Sequence, residues 1–144
     1  MNNRNEIDIR EVSKRSGLPS STLRFYEDKG LIKSCGRRGI TRIFKTMVVE
    51  QLSLICLGRY AGFSLDEIRA MFTVNGNPAI DRDQLLQRAD ELEKTIRRLE
   101  AMCDGLRHVA NCPEENQLEC PNFQNLIKKA TKLQQKEERK HKRR

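Results

Sequence analysis

Residues 7–32 read Ile7-Asp-Ile-Arg-Glu-Val-Ser-Lys-Arg-Ser-Gly-Leu-Pro-Ser-Ser-Thr-Leu-Arg-Phe-Tyr-Glu-Asp-Lys-Gly-Leu-Ile32, and the reading of this stretch decides the fold. Ile9 and Val12 have the apolar spacing of a short first helix, which Gly17 ends. Leu18 fills the turn, and Ser20 or Ser21 can cap a second helix by accepting a bond from a free backbone N–H. Leu23 faces inward and Gly30 closes that helix. Two helices joined by a short glycine-containing turn make a helix-turn-helix, whose second helix enters the major groove of duplex DNA.

Downstream, Leu31-Ile-Lys-Ser-Cys-Gly-Arg-Arg-Gly-Ile-Thr-Arg-Ile-Phe44 reads as a β-hairpin, with strands at Leu31–Lys33 and Thr41–Phe44 around a Gly/Arg-rich tip. Arg37, Arg38 and Arg42 lie at or near that tip and form a wing aimed at the phosphate backbone. From Met47 to Tyr60, Val48, Leu52, Ile55 and Cys56 follow helical spacing, which makes Cys56 a core residue. Gly62 ends that helix. Ser64, with Glu67 three residues on, opens the next helix as a capping box, and Asn75-Gly-Asn-Pro78 is a turn.

The clearest periodicity comes next. Leu85, Ala89, Leu92, Ile96, Leu99, Cys103, Leu106 and Ala110 alternate spacings of four and three, with charged residues outside the seam. A two-in-seven stripe is too narrow to pack on a globular core and suits a coiled coil. Residues 81–110 therefore read as a dimerisation helix whose simplest partner is a second copy. The seam cysteine, Cys103, reads there as a small apolar residue, with a redox pairing to Cys112, nine residues on, as the alternative. The fold class is mainly α: an N-terminal winged helix-turn-helix with a small β-hairpin wing, then a long dimerisation helix. The expected divisions are a DNA-binding domain with its following helix pair at 1–75 and a linker with the dimerisation helix at 76–110. An effector-type loop with a short helix at 111–127 and a basic tail at 128–144, a fraying helix or disordered, complete the chain.

Charge follows the same divisions. Residues 1–62 carry 12 Lys/Arg against 6 Asp/Glu, residues 63–127 carry 7 against 12, and residues 128–144 carry 9 against 2. A basic head before an acidic middle fits a polyanion-binding module joined to something with another task. No run approaches the ~18 apolar residues that span a bilayer, and the start lacks the pattern of a secretion signal, so a cytoplasmic protein without membrane contact is expected. Five cysteines, an odd number, argue against a disulfide framework. Two histidines, His108 and His141, supply no nucleophile–base pair or open metal site, so an enzyme is not expected.

Thr22-Leu-Arg-Phe-Tyr-Glu-Asp-Lys-Gly-Leu-Ile32, the arginine-bearing wing, Ala61-Gly-Phe-Ser-Leu-Asp-Glu-Ile68 and the long coil together resemble the MerR family of bacterial regulators, over about residues 7–126. The resemblance implies a homodimer held by an antiparallel coiled coil. Such a dimer binds a dyad-symmetric promoter element and distorts the DNA on effector binding, so that RNA polymerase can align both promoter elements. It also implies DNA contacts from Ser21, Thr22, Arg24, Tyr26, Arg37, Arg38 and Arg42. Arginine suits phosphate or guanine. Tyr26 either bonds a phosphate or is partly buried against the wing, and Phe25 is core rather than contact.

Cys112 and Cys120, each followed by proline, match the metal-binding loop of copper-, zinc- and gold-responsive members, where two thiolates hold the ion. Such a pair suits a soft ion such as Cu(I), or Zn with further ligands. In divalent-ion sensors a cysteine near the start of the long helix, from the other subunit, completes the site, and monovalent-ion sensors have serine there; here that region reads Pro78-Ala-Ile-Asp81, with no thiol or hydroxyl. His108, Glu114, Glu115 and Glu119 lie nearby without an evident ligand spacing. Two other readings of the pair stay open, a reversible disulfide and a purely structural loop. For the whole chain, the alternative is an architectural DNA-binding protein that responds to no effector. Cys35 is a free wing thiol.

Overall fold

The computed structural model describes residues 4–142, which form two units divided between Arg88 and Ala89. In chain order the elements are β1 (Glu6–Asp8), α1 (Ile9–Ser16), α2 (Ser20–Asp28), β2 (Gly36–Arg38), β3 (Thr41–Lys45), α3 (Val48–Tyr60), α4 (Leu65–Ala70), α5 (Arg82–Ala110), a 3-10 turn at Gln117–Glu119 and α6 (Pro121–Lys142). Among the described residues no helix is long and apolar enough to cross a membrane.

The first unit is organised by a single apolar core. Ile9 and Val12 of α1, Leu23 of α2, Phe44 of β3, Val48, Leu52 and Ile55 of α3, Phe63, and Ile68 of α4 are all buried in it. Asp8 caps α1 by accepting the Glu11 N–H at 2.9 Å, and Gly17 ends the helix in the left-handed region at φ 74°. The helix-turn-helix and the Ser64/Glu67 capping box are thus present as read. Glu67 also pairs with Arg88 at 3.6 Å, and the Arg88 guanidinium lies 4.8 Å over the Phe63 ring. The first turns of α5 are tied to α4 through these contacts.

Several local expectations are corrected. Pro19, not a serine, precedes the first turn of α2, and its carbonyl accepts the Leu23 N–H while Ser20 and Ser21 lie inside the helix. Leu31–Lys33 is not a strand: Leu31 and Ile32 are pulled into the core, and pairing to β3 starts only at Cys35. Burial of two consecutive apolar side chains outweighs the local strand preference there. The wing hairpin is therefore β2–β3, with Arg37 opposite Arg42 and a turn at Gly39 and Ile40. Glu6–Asp8, unanticipated as a strand, pairs with the other edge of β3, so the sheet order is β1-β3-β2. Cys56 is exposed, because the inward stripe of α3 is Val48, Leu52 and Ile55, and a residue one position beyond Ile55 turns about 100° away. Phe25 is 45% exposed, with the Lys29 ammonium 5.8 Å above its ring.

Gly58 marks the close approach of α3 to α4. A Cβ there would lie 2.9 Å from Cγ1 of Ile68, which is buried and β-branched and has little room to swing aside. Gly58→Ala gains about 1 kcal/mol of helix propensity, while overpacking costs about 1–3 kcal/mol. A lower urea midpoint is expected, and an unchanged or higher one would show that Ile68 repacks freely.

In the second unit α6 packs along α5. Leu126 meets Gly105, where a Cβ would come within 2.8 Å of a Leu126 methyl, and Arg98 pairs with Glu137 at 4.0 Å. The tail expected to fray or be disordered is helical to Lys142, with 143 and 144 outside the described residues. Its Lys/Gln/Glu/Arg composition favours helix once half-buried Leu126 and Leu133, seven residues apart, give it a face to lay down. On α5 the face that receives α6 carries Arg98, Gly105 and Val109. The heptad seam lies one residue, about 100°, around the helix. Its Leu85, Leu92, Ile96, Leu99 and Leu106 remain 41–56% exposed.

Candidate nucleic-acid interface and thiol centre

Within the first unit, Ser21 and Arg24 are exposed on α2, while Thr22 and Tyr26 are half-buried. Tyr26 packs against the core, and its ring centroid is 6.0 Å from that of Phe25. Arg37 and Arg38 stand exposed on β2. Arg42 differs from its wing neighbours. It is half-buried, its Nε lies 3.8 Å from Oε1 of Glu27 on α2, and Ser34 Oγ donates to the same carboxylate oxygen at 3.3 Å. Glu27 and Ser34, which no sequence pattern singled out, thus tie the wing to the second helix of the helix-turn-helix. The geometry offers two exposed cationic features, Arg24 on α2 and the Arg37–Arg38 pair on the wing, held in register by the Arg42–Glu27 pair.

The thiol centre lies in the second unit. His108 stands in the last turn of α5, Cys112 follows the helix, and Cys120 takes the N-cap position of α6, its carbonyl accepting the Gln124 N–H at 3.0 Å. The Sγ atoms and a His108 ring nitrogen all lie within 4.8 Å of one another. Cys120 Sγ is 3.7 Å from His108 Nε2, and the same nitrogen is 2.9 Å from Asn122 Nδ2. The cysteines therefore come together as read from their spacing. His108 joins them although no ligand spacing was evident around it. The signal was the i, i+4 relation of His108 to Cys112, which stacks both one above the other at a helix end. Glu114, Glu115 and Glu119 are exposed and stand outside the cluster. Cys103 is exposed on the seam, away from the cluster.

Cys120 is buried, yet its thiol is lowered from 9.0 to about 7. The backbone N–H of Phe123 contributes most and the His108 ring next, with Cys112 and the Asn122 N–H adding to them, together outweighing the burial that opposes ionisation. In metal-free, reduced protein, alkylation of Cys120 by a small haloacetamide, followed by peptide mass spectrometry, is expected to reach half its limiting rate near pH 7. A midpoint near 9 would mean that the α6 amides do not hold the thiolate. Two thiols, one ionising near neutrality, beside an imidazole form a donor set that suits soft and borderline metal ions, so the residues present fit such an ion.

A family model described as MerR HTH family regulatory protein matches residues 7–74, and one described as MerR, DNA binding matches residues 49–109. The HTH-type transcriptional regulator CueR of Salmonella typhi is 31% identical over 126 residues, covering 83% of this chain and 91% of its own. The chain belongs to the MerR family. As a MerR-family protein it is a DNA-binding transcription regulator, not an enzyme. Among solved structures, HiNmlR, a MerR family regulator lacking the sensor domain and bound to promoter DNA, is 25% identical, with a TM-score of 0.54 over 72% of this chain and 86% of its own. PbrR691 from Ralstonia metallidurans CH34, in complex with lead(II), shares the fold at 23% identity and a TM-score of 0.55, covering 83% of this chain and 98% of its own. The winged helix-turn-helix and long helix read from the sequence are therefore the fold of a MerR-family regulator.

Proposed function

We propose that this MerR-family protein is a cytoplasmic, metal-responsive promoter switch. Two copies pair through the α5 seams as an antiparallel coil and bind a dyad-symmetric promoter element. The dimer alters the shape of the DNA for RNA polymerase when Cys112 and Cys120 hold a soft metal ion. The observation that carries the effector part is the convergence of both thiols and the His108 ring nitrogen within 4.8 Å of one another, between the end of α5 and the start of α6. An ion there would be gripped from both ends of the loop 112–120, joining the end of α5 to α6. The exposed apolar seam supports pairing, since a row of half-exposed leucine and isoleucine on an otherwise charged helix gains most by meeting a copy of itself. HiNmlR bound to promoter DNA supports the DNA part.

Ser21, Thr22, Arg24 and Tyr26 read and position the duplex from α2, with Arg37 and Arg38 on backbone phosphates and Arg42 aligning the wing through Glu27. Arg37→Ala and Arg38→Ala are each expected to weaken binding to all sequences alike. The slope of log affinity against log salt should fall by about one for each phosphate no longer neutralised, so by about two per dimer. A weakening confined to the cognate sequence would instead make that arginine a base reader.

The reading is tested by in vitro transcription with reduced protein at saturating promoter occupancy, with Cu(I), Zn(II) or a mild oxidant added. Output that changes with metal at constant occupancy supports it. Output that responds to oxidant alone favours a disulfide at the same pair. Output indifferent to all three makes the protein an architectural DNA binder.

A further inference from the structure

A linear two-thiolate site needs nothing from His108, yet the fold aims this ring at Cys120. Zn–S bonds of about 2.3 Å and Zn–N bonds of about 2.0–2.1 Å set the spacing an ion would require. Two such ligands lie about 3.6 Å apart at a tetrahedral angle, about 3.8 Å at a trigonal one and about 4.4 Å across a linear one. The Cys120 Sγ to His108 Nε2 separation is 3.7 Å, within the bent range and well short of the linear one. Nε2 is the ring nitrogen on the side of the thiols, and it also lies 2.9 Å from the Asn122 amide nitrogen. Once deprotonated, that nitrogen can offer its lone pair to an ion held by the thiols, and the ion would replace the Asn122 contact.

Charge points the same way. Two thiolates and a neutral imidazole carry two negative charges, which a divalent ion cancels and a monovalent ion leaves half balanced. Cys120 is only 3% exposed, and a net charge there is costly.

We propose that His108 is a third ligand from the same subunit. In this arrangement His108, Cys112 and Cys120 form a bent nitrogen–disulfur site with an open fourth position, selective for a borderline divalent ion of the zinc class over a linearly held monovalent one. The proposal rests on the reading of Cys112 and Cys120 as a metal site.

The test uses full-length, reduced protein and chelator competition with Zn(II) and, separately, Cu(I), for the wild type and for His108→Ala, Asn122→Ala and Cys112→Ser. Co(II) absorption adds a readout of geometry. His108 is exposed, so its replacement is not expected to disturb folding, which circular dichroism checks. His108→Ala should weaken Zn(II) binding by about 100-fold or more, while Asn122→Ala, which removes a neighbour and not a ligand, should cost about tenfold or less. Cu(I) affinity of His108→Ala should stay within a few-fold, and the Co(II) ligand-field bands should change while thiolate charge transfer remains. Zn(II) affinity unchanged in His108→Ala but abolished in Cys112→Ser would overturn the third ligand and leave the thiol site standing. Equal weakening of Zn(II) and Cu(I) binding in His108→Ala would overturn the selectivity. Wild-type protein that binds neither ion would overturn the proposal together with the metal reading beneath it.

Discussion

Ile96→Glu is expected to leave the protein monomeric and to lower affinity for a two-half-site operator by about three orders of magnitude. Ile96 is the midpoint of α5, Arg82–Ala110, so an antiparallel pair crossing at the helix centre sets each Ile96 against its copy. Each isoleucine in that pair contributes about 1.5–3 kcal/mol on full burial. Ile96 is already about half-buried in the single chain, so removing both forfeits about 1.5–3 kcal/mol, and a tenfold change in affinity corresponds to about 1.4 kcal/mol. Two carboxylates facing each other in a closed seam add a further penalty. The fold of each chain should survive, because the face that meets α6 carries Gly105 and Val109 and not Ile96. Sedimentation equilibrium reads the mass, and gel-shift titration against one and two half-sites reads the affinity. A variant that sediments as a dimer would place the interface elsewhere. Ile96→Leu, which keeps the seam apolar, should behave as wild type.

Cys120→Ser is expected to abolish the proposed metal-dependent transcription while operator binding in the absence of metal stays within about twofold, because the proposed operator contacts lie in the other unit. Serine is among the best N-cap residues, so the start of α6 should hold, with a melting temperature within about 2 °C of wild type. A hydroxyl does not ionise near pH 7 and is a poor ligand for a soft ion, so metal affinity falls by more than about 100-fold, beyond the usual cost of disturbing a ligand's support. Promoter assays with added metal, alongside chelator competition, read both effects. Full induction by metal in Cys120→Ser would detach sensing from this cluster. Induction kept in Cys120→Ser but abolished in Cys112→Ser would reduce the centre to one thiol.

Three signals in the chain carry through to the folded molecule because each is local. Gly17 and the Ser64/Glu67 box work through hydrogen bonds and dihedral angles that span no more than five residues. The heptad seam is written into one helix and needs no tertiary partner to be recognised. The cysteine pair is legible because a short loop between helix ends can bring its ends together at small entropic cost.

The strand at Leu31–Lys33 failed for the opposite reason. Whether two apolar residues after a helix pair as a strand or anchor in a core depends on Phe44, Leu52 and Ile55, which lie far along the chain. Phe25 and Cys56 sat at plausible inward spacings, but a stripe has edges, and only the packed neighbours decide which side of the edge a residue takes. Arg42 looked like its wing neighbours until Glu27, fifteen positions earlier, was placed beside it.

The identity of the module was thus determined by the sequence alone: the helix-turn-helix, the arginine-bearing wing, the long helix with its heptad seam and two thiols beyond it follow from periodicity, capping and spacing. The tertiary structure decided which of those residues serve as structure and which remain free to act. It half-buried Arg42 beside Glu27, laid the basic tail as α6 over one face of α5, and turned His108 toward Cys120. Each outcome is a contact between residues at least twelve positions apart, set by how whole helices and strands pack, and no local pattern of residue types encodes such packing.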